Sequence, residues 1–191
     1  MEWDFNNKKV IITGGASGIG QEIAKSFASS GAHVAIIDID KNVEKRLSKH
    51  LYNLSNKENL FFIGSVSNKN FIDQSFKKIL DQWNDFDYLI NSAGILNDFM
   101  SSRFDEKKWD QTINVNLKGM ALCSQAAAKI WVNSSKQKAK KMGKKRLKVI
   151  ENPPKVIVNI SSMAANGNIG QMAYSASKAG IRGITKTLAK E

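Results

Sequence analysis

The chain has one cysteine, two prolines and two histidines among its 191 residues. Because Cys123 has no second cysteine to pair with, an internal disulfide is excluded, which suits a reducing compartment. His33 and His50 lack a cysteine or carboxylate cluster at ligand spacing, so we expect no metal site. No apolar run approaches the roughly 20 residues of a membrane span, and the N-terminal residues lack the apolar core of a secretory signal. These absences favour a cytoplasmic protein without a membrane span, with the mitochondrial matrix as the alternative.

The net charge of +12 is concentrated in one segment. Subtracting the eight basic residues between Lys136 and Lys148 leaves +4 for the rest of the chain. We expect residues 133–154, closed by Pro153 and Pro154, to form an exposed lysine-rich insertion loop, since proline disfavours helix. No aromatic residues interleave the lysines for base stacking, so a solvated surface is favoured over nucleic-acid binding. A nuclear localisation signal is a further alternative.

Five short apolar runs alternate with helix-length segments along the chain. The runs cover residues 9–13, 33–38, 60–66, 88–91 and 155–161. This alternation predicts an α/β fold with a doubly wound parallel sheet, because each parallel crossover needs a helix. Right-handed crossovers with one reversal give the strand order 3-2-1-4-5 and a crevice beside the first and fourth strands. At this length we expect a single domain over residues 1–191.

The segment 13–20, TGGASGIG, joins the first strand to the first helix. Its glycines permit a tight turn, and the free N–H groups at the start of the helix favour an anion such as a pyrophosphate. Asp38 closes the second strand eighteen residues after Gly20, close to where dinucleotide-binding folds place an acid for the adenosine ribose. A carboxylate accepts hydrogen bonds from a free ribose hydroxyl and repels a 2′-phosphate. The sequence therefore predicts a dinucleotide site, with NAD(H) favoured over NADP(H).

Tyr174 and Lys178 are four residues apart at the start of the last helical pattern, so they share one helix face. Free tyrosine titrates near pH 10, and a cation held beside a phenol favours the phenolate. Such a tyrosine can take a proton from an alcohol, or give one to a developing alkoxide, while hydride moves to or from a nicotinamide. A serine at the end of the fifth strand would orient the carbonyl and stabilise developing charge.

Five motifs in this order resemble the single-domain branch of the short-chain dehydrogenases/reductases. They are TGGASGIG at 13–20, NSAG at 91–94, NVNLKG at 114–119, ISS at 160–162 and YSASK at 174–178. Within the family, the chain is most similar to 3-oxoacyl-carrier-protein reductases and type 8 estradiol 17-beta-dehydrogenase. The resemblance implies an oxidoreductase that moves hydride between a nicotinamide cofactor and a secondary alcohol or ketone. The implied substrate is a 3-oxoacyl thioester or a ketosteroid-like molecule.

The resemblance also implies a role for each site residue. Tyr174 would be the acid/base, Lys178 would bind the nicotinamide ribose and tune the tyrosine, and Ser162 would position the carbonyl. Asn116 would hold the water that completes a proton relay. Spacing alone favours Ser161 over Ser162, because the segment before Tyr174 is one residue shorter than in the family. The implied cofactor-binding residues are Gly14, Ser17, Gly18, Ile19, Gly20, Asp38, Ser65, Val66, Asn91, Ala93, Gly94, Tyr174 and Lys178.

Besides the shorter segment before Tyr174, the chain departs from the family pattern in three places. Ser65 stands where the family usually has an acid, and Ser92 where it has a second asparagine. The family continues beyond the Tyr–Lys helix into further strands and a substrate lid, whereas this sequence ends at Glu191. We therefore expect a C-terminally truncated chain that is aggregation-prone and nearly inactive alone, or a non-catalytic remnant that still binds the nucleotide. In full-length form, the family resemblance implies a homo- or hetero-oligomer.

Overall fold

The computed structural model describes residues 3–145 and 154–191. The strands of these residues form one parallel sheet in the order β3-β2-β1-β4-β5, which confirms the predicted fold class and strand order. They are β1 Lys9–Thr13, β2 His33–Asp38, β3 Leu60–Ile63, β4 Tyr88–Asn91 and β5 Val156–Asn159. Strands β3 and β5 end earlier than predicted. The segments 64–66 and 160–161 are therefore loops at the carboxyl edge of the sheet, where ligands of such folds bind.

Helices connect the strands and cover both faces of the sheet. They are α1 Gly18–Ser29, α2 Val43–Ser55, α3 Lys69–Trp83, α4 Glu106–Ile113, α5 Met120–Lys141 and α6 Met172–Lys190. A π-helical segment, Asn114–Gly119, joins α4 to α5. A short 3₁₀ turn, Met163–Asn166, follows β5. None of the helices within the described ranges is long and apolar enough to span a bilayer.

Two apolar layers hold the helices against the sheet. Successive strand side chains point to opposite faces, so Ile11 and Ile37 pack with residues of α3 and α5. Val10, Ile12 and Ile36 pack on the other face with residues of α1 and α2. Burial on both faces explains why these strands read as continuous apolar runs and not as alternating ones.

The lysine-rich segment differs from its prediction as a loop. Helix α5 continues to Lys141, so residues 133–141 are helical and the predicted loop is wrong there. Lysine, glutamine and alanine are good helix formers, and lysines in the last turn offset the negative end of the helix dipole. The loop prediction gave too much weight to polarity. Residues 146–153, which include Pro153, lie outside the described part of the chain.

Candidate active site

The loop after β1 packs against the loop after β4. The Thr13 hydroxyl oxygen accepts hydrogen bonds from the N–H groups of Ser92 and Ala93, both at 3.2 Å. Gly14 has a φ of 69°, and a Cβ on it would lie 2.7 Å from the Ala93 Cα. Only glycine satisfies both the positive φ and this close approach. The two loops therefore form one wall of a cleft at the carboxyl edge of the sheet.

The first turn of α1 opens into the same cleft. Gly18 has a φ of 51°, and a Cβ added to it would meet no atom within 4 Å, so the space in front of it is open. The N–H groups of this turn have no partners within the helix, and no acidic side chain lies in it. The Gly14 N–H donates to the Ile37 carbonyl, so the donors left for a ligand are those of the first turn of α1, and such a helix start beside an open space fits a pyrophosphate. The residues present therefore fit a dinucleotide cofactor.

The cleft has a volume of about 480 Å³ and contains most of the predicted site residues. Those that line it are Gly14, Ser17, Gly18, Ile19, Gly20, Asp38, Ser65, Val66, Ala93, Gly94, Tyr174 and Lys178. Asn91, Asn116 and Ser162 do not line it. The lining residues outside the predicted catalytic and cofactor-binding sets are Ile37, Ile39, Gly64, Ser92, Ile95, Leu96, Val115 and Ile160. Most are apolar and carry no chemical signal, but each lies within two residues of a predicted site residue.

Asp38 is fixed at the cleft wall by backbone N–H groups. Its carboxylate accepts hydrogen bonds from Ala16 N at 2.9 Å and from Asp40 N at 3.0 Å. The Arg46 guanidinium donates to the Ala16 carbonyl at 3.0 Å and forms an ion pair with Asp40. Both the N–H and the carbonyl of Ala16 are therefore held by side chains. Each carboxylate oxygen of Asp38 keeps a second lone pair with which it can accept a hydrogen bond from a ligand hydroxyl.

Lys178 and Tyr174 lie together on α6. The Lys178 ammonium is 5.5 Å from the centre of the Tyr174 ring and donates to the Ile160 carbonyl at 2.7 Å. A Cβ on Gly94 would be 3.8 Å from this nitrogen, so the ammonium also borders the loop after β4. Burial lowers the pKa of Lys178 from its ordinary value, because the charged form loses hydration. The Lys178 ammonium is thus held between the Tyr174 ring, the cleft and the loop that follows β5.

The two candidate serines make different contacts. The Ser161 hydroxyl donates to the Lys178 carbonyl at 3.0 Å, so its hydrogen is already used within the protein. The Ser162 hydroxyl oxygen accepts from Ala164 N at 3.1 Å and caps the turn Met163–Asn166. This bond leaves the Ser162 hydrogen available for a ligand oxygen. Neither serine lines the cleft, so the role of Ser162 as the hydroxyl donor stays a prediction.

Asn116 lies in the π-helical segment and is almost fully buried. Its Oδ1 accepts from Ile95 N at 2.7 Å, and its Nδ2 donates to the Ile95 carbonyl at 2.9 Å and to Ser177 Oγ at 3.3 Å. Both amide hydrogens are thus used to hold other parts of the site. A relay water would have to bind the remaining lone pair of Oδ1 or the backbone, and this role stays a prediction.

Asn91 lies behind the cleft wall, contrary to its predicted place in the cofactor site. Its side chain is buried, and its Nδ2 donates to Ser124 Oγ at 3.0 Å and to Asn159 Oδ1 at 2.8 Å. These bonds tie β4 to β5 and to α5. Ala93 and Gly94 of the same motif line the cleft, whereas the Asn91 side chain points into the protein and supports their loop from within.

Three apolar side chains are exposed in the segments that follow β4 and β5. Leu96 lines the cleft and is half exposed, while Met163 and Ile169 are 89% and 85% exposed. The loops that carry Leu96 and Ile169 are joined by a hydrogen bond from Phe99 N to the Gly170 carbonyl at 2.8 Å. Apolar side chains this exposed are compatible with an apolar ligand entering the cleft.

A parallel sheet of this order, with a glycine turn and a ligand-sized cleft at its carboxyl edge, defines a dinucleotide-binding protein. The family profile described as short chain dehydrogenase matches residues 8–191. The chain therefore belongs to the short-chain dehydrogenase family. Members of this family are oxidoreductases that act on an alcohol or carbonyl with a nicotinamide cofactor. The described residues contain no group of His, Cys, Asp or Glu that could hold a metal ion.

Curated relatives align with nearly the whole chain. The BbsD subunit of a hydroxy(phenyl)methylsuccinyl-CoA dehydrogenase from Thauera aromatica is 36% identical over 187 residues, covering 98% of this chain and 68% of the relative. The 3-oxoacyl-acyl-carrier-protein reductase FabG of Thermotoga maritima is 36% identical over 188 residues, covering 98% and 69%. The FabG reductase of Chlamydia trachomatis is 32% identical over 186 residues, covering 97% and 68%.

Solved structures share the fold. A protein from Sinorhizobium meliloti assigned as a short-chain alcohol dehydrogenase superposes with a TM-score of 0.84 at 26% identity. The superposition covers 100% of this chain and 68% of that one. A protein from Escherichia coli assigned as a short-chain dehydrogenase superposes with a TM-score of 0.81 at 22% identity, covering 97% and 75%, and supports the fold alone.

Proposed function

We propose that this protein transfers a hydride between NAD(H) and a secondary alcohol or ketone, with Tyr174 as the acid/base. The observation that carries the proposal is that Tyr174 and Lys178 both line the cleft, with the Lys178 ammonium 5.5 Å from the centre of the tyrosine ring. The nicotinamide supplies or accepts the hydride. The protein's own part is to orient the substrate oxygen and to move one proton.

In the reducing direction, a hydride adds to the carbonyl carbon and the Tyr174 hydroxyl gives its proton to the carbonyl oxygen. The Lys178 ammonium then stabilises the phenolate that remains, because an adjacent cation favours the charged form. The Ser162 hydroxyl donates a hydrogen bond to the same substrate oxygen and stabilises the charge that develops on it. Oxidation of the alcohol uses the reverse steps.

The preference for NAD(H) rests on Asp38. Its carboxylate lines the cleft and is held rigidly by the N–H groups of Ala16 and Asp40. A fixed carboxylate accepts hydrogen bonds from the free ribose hydroxyls of NAD(H), whereas the 2′-phosphate of NADP(H) would meet a like charge. The Arg46 guanidinium is already paired with Asp40, which leaves it less available for a phosphate.

For the substrate we propose a 3-oxoacyl or hydroxyacyl thioester. Two of the relatives are named for coenzyme A and acyl-carrier-protein thioesters. The apolar side chain of Leu96, which lines the cleft, provides a surface for the acyl part of such a molecule. A ketosteroid-like substrate is the alternative within this proposal, since the same side chain would contact an apolar ring system. An oligomeric state and a cytoplasmic or mitochondrial location remain predictions from the sequence.

The test is NADH oxidation with acetoacetyl-CoA, and NADH formation with estradiol, each followed by absorbance for the protein in its full natural length and for this chain. Tyr174→Phe should lower kcat by at least about 100-fold while NADH binding, measured by fluorescence titration, is retained. Tyr52→Phe is the matched control, because Tyr52 is a half-exposed tyrosine on α2. NADH binding without turnover of either substrate would instead support the non-catalytic alternative.

A further inference from the structure

The hydroxyl of Ser177 lies between two parts of the site that come from different regions of the chain. Ser177 is on α6 and is fully buried. Its Oγ donates to the Tyr174 carbonyl at 2.7 Å and accepts a hydrogen bond from the Asn116 amide at 3.3 Å. Both the donor and the acceptor capacity of this hydroxyl are therefore used, one toward the tyrosine turn and one toward the π-helical segment.

The bridge continues from Asn116 into the cleft wall. The Asn116 side chain pairs with both the N–H and the carbonyl of Ile95, at 2.7 and 2.9 Å. Ile95 lines the cleft next to Gly94. Four hydrogen bonds thus connect the tyrosine-bearing turn with the loop after β4: two between Asn116 and Ile95, one from Asn116 to Ser177, and one from Ser177 to the Tyr174 carbonyl. The two connected segments are about 80 residues apart in the sequence.

Close packing beside Ser177 makes the position of α6 relative to the π-helical segment sensitive to small shifts. One turn further along α6, a Cβ on Gly180 would lie 2.9 Å from Leu117 Cδ1, so α6 and the π-helical segment are in close contact. A π-helix is a rare, less regular segment that is found at functional sites. Because its position depends on its neighbours more than that of an α-helix does, a buried hydrogen bond can set its register.

We propose that Ser177 is a positioning residue, which holds the turn of Tyr174 and Lys178 in register with Asn116 and with the Ile95 wall of the cleft. This role rests on the proposed function, because it acts through the geometry of the tyrosine. Loss of the hydroxyl would leave one buried Asn116 N–H without a partner and would release the tyrosine turn from the cleft wall. Misplacement of a reacting group by about 1 Å can lower a rate by about 100-fold.

The chain offers a matched control in Ser175. Its Oγ is also buried, on the same helix, but it has no hydrogen-bond partner among the described residues. Ser175→Ala therefore removes a buried hydroxyl next to Tyr174 without breaking a bond. Ser177→Ala removes the bridge. A comparison of the two variants separates positioning from a general effect of losing a buried serine.

The first measurement is steady-state kinetics with NADH and acetoacetyl-CoA. Ser177→Ala should lower kcat by about 10-fold, within the range that small misplacements produce, and leave NADH affinity within about 2-fold, while Ser175→Ala should match the wild type. In an Asn116→Ala background, Ser177→Ala should have no further effect on kcat, because the bridge is already broken. A folded Ser177→Ala variant with unchanged kcat, or equal losses in both serine variants, would overturn the proposal.

The second measurement does not need turnover. Hydrogen exchange of the Ile95 amide reports local opening of the cleft wall. Ser177→Ala should accelerate this exchange by about 10-fold, although the substitution is on α6, whereas Ser175→Ala should not change it. Unchanged exchange at Ile95 in Ser177→Ala would overturn the bridge. Absence of turnover in the wild type, with accelerated exchange in the variant, would refute the proposed function and support the bridge.

Discussion

The Lys178 ammonium lies over the face of the Tyr174 ring, 5.5 Å from its centre, and donates a 2.7 Å hydrogen bond to the Ile160 carbonyl. Helix geometry alone brings the two side chains to one face, since they are one turn apart. The carbonyl comes from the end of β5 and orients the ammonium from outside the helix. The arrangement of Tyr174 and Lys178 thus depends on how α6 packs against the sheet.

Stability should depend on pH through Lys178. Burial lowers its pKa, so the folded protein binds this proton less tightly than the unfolded chain does. Below the lowered pKa the buried ammonium therefore costs folding free energy, and this cost disappears as the pH rises toward the ordinary value of 10.5. We expect the wild type to gain stability relative to Lys178→Met as the pH rises toward 10.5.

Urea unfolding of both proteins at several pH values measures this difference. Lys186→Met is the control, because Lys186 is an exposed lysine on the same helix. Its stability relative to the wild type should stay nearly constant over the same range. A Lys178→Met difference that is also constant, or that moves in the opposite direction, would contradict the burial of a charged amine.

Asp38 should decide the choice between NADH and NADPH. Asp38→Asn removes the negative charge but keeps a side-chain oxygen that can accept from Ala16 N. We expect the ratio of NADPH to NADH affinity to rise by about 10-fold, which corresponds to about 1.4 kcal/mol of lost repulsion. Fluorescence titration with each cofactor gives the two dissociation constants.

The control for Asp38 is Glu44→Gln, which removes an exposed carboxylate in the first turn of α2 and leaves the pair of Asp40 and Arg46 intact. If long-range charge alone set the preference, this variant would shift the affinity ratio as much as Asp38→Asn does. We expect a smaller shift, because the Asp38 carboxylate lines the cleft and Glu44 does not. An unchanged ratio in Asp38→Asn would contradict the assignment of the ribose contact.

Ser161 and Ser162 should differ in their effect on turnover. Ser162→Ala removes the hydroxyl whose hydrogen is available for the substrate, and kcat should fall by about 100-fold to 1,000-fold, as for the loss of one oxyanion donor. Ser161→Ala breaks the bond to the Lys178 carbonyl and should lower the free energy of unfolding by about 1 kcal/mol. Kinetics and urea unfolding of both variants distinguish the roles, and the opposite pattern would identify Ser161 as the donor.

Cys123 should make stability fall at alkaline pH. It is fully buried in the layer between the sheet and α3, and burial raises the pKa of its thiol to about 12 from 9.0. As the pH rises, the unfolded chain loses this proton before the folded protein does. The contribution of the thiol to the free energy of unfolding is therefore fully present below about pH 9 and is lost as the pH rises above it. Between about pH 8 and about pH 10, the wild type should lose about 1 kcal/mol more than Cys123→Ala does.

The comparison with Cys123→Ala isolates this thiol from the other groups that titrate in alkali. A thiol reagent gives an independent measurement: Cys123 should react slowly in the folded protein and rapidly in urea. Rapid reaction of the native protein would show that the thiol is accessible, and would contradict its place in the core.

Strand order, helix positions and the glycine turn could be predicted from the sequence because they follow from local patterns. Apolar runs of strand length alternate with helical periodicity, and the glycines of 13–20 follow the first run directly. The fold class and family are confirmed. The boundary at Lys141 was missed because the good helix formers of that segment also make it polar, and polarity was interpreted as a loop.

The amino-acid sequence by itself determined which side chains can carry proton transfer and phosphate binding, since residue type and short spacing suffice for that. Only the tertiary structure decided how Asn91, Asn116 and Ser177 are used. Asn91 supports β5 from within, and Asn116 joins the Ile95 wall to Ser177. Their partners are far away along the chain, and a hydrogen bond depends on distance and direction in space, which no local pattern records.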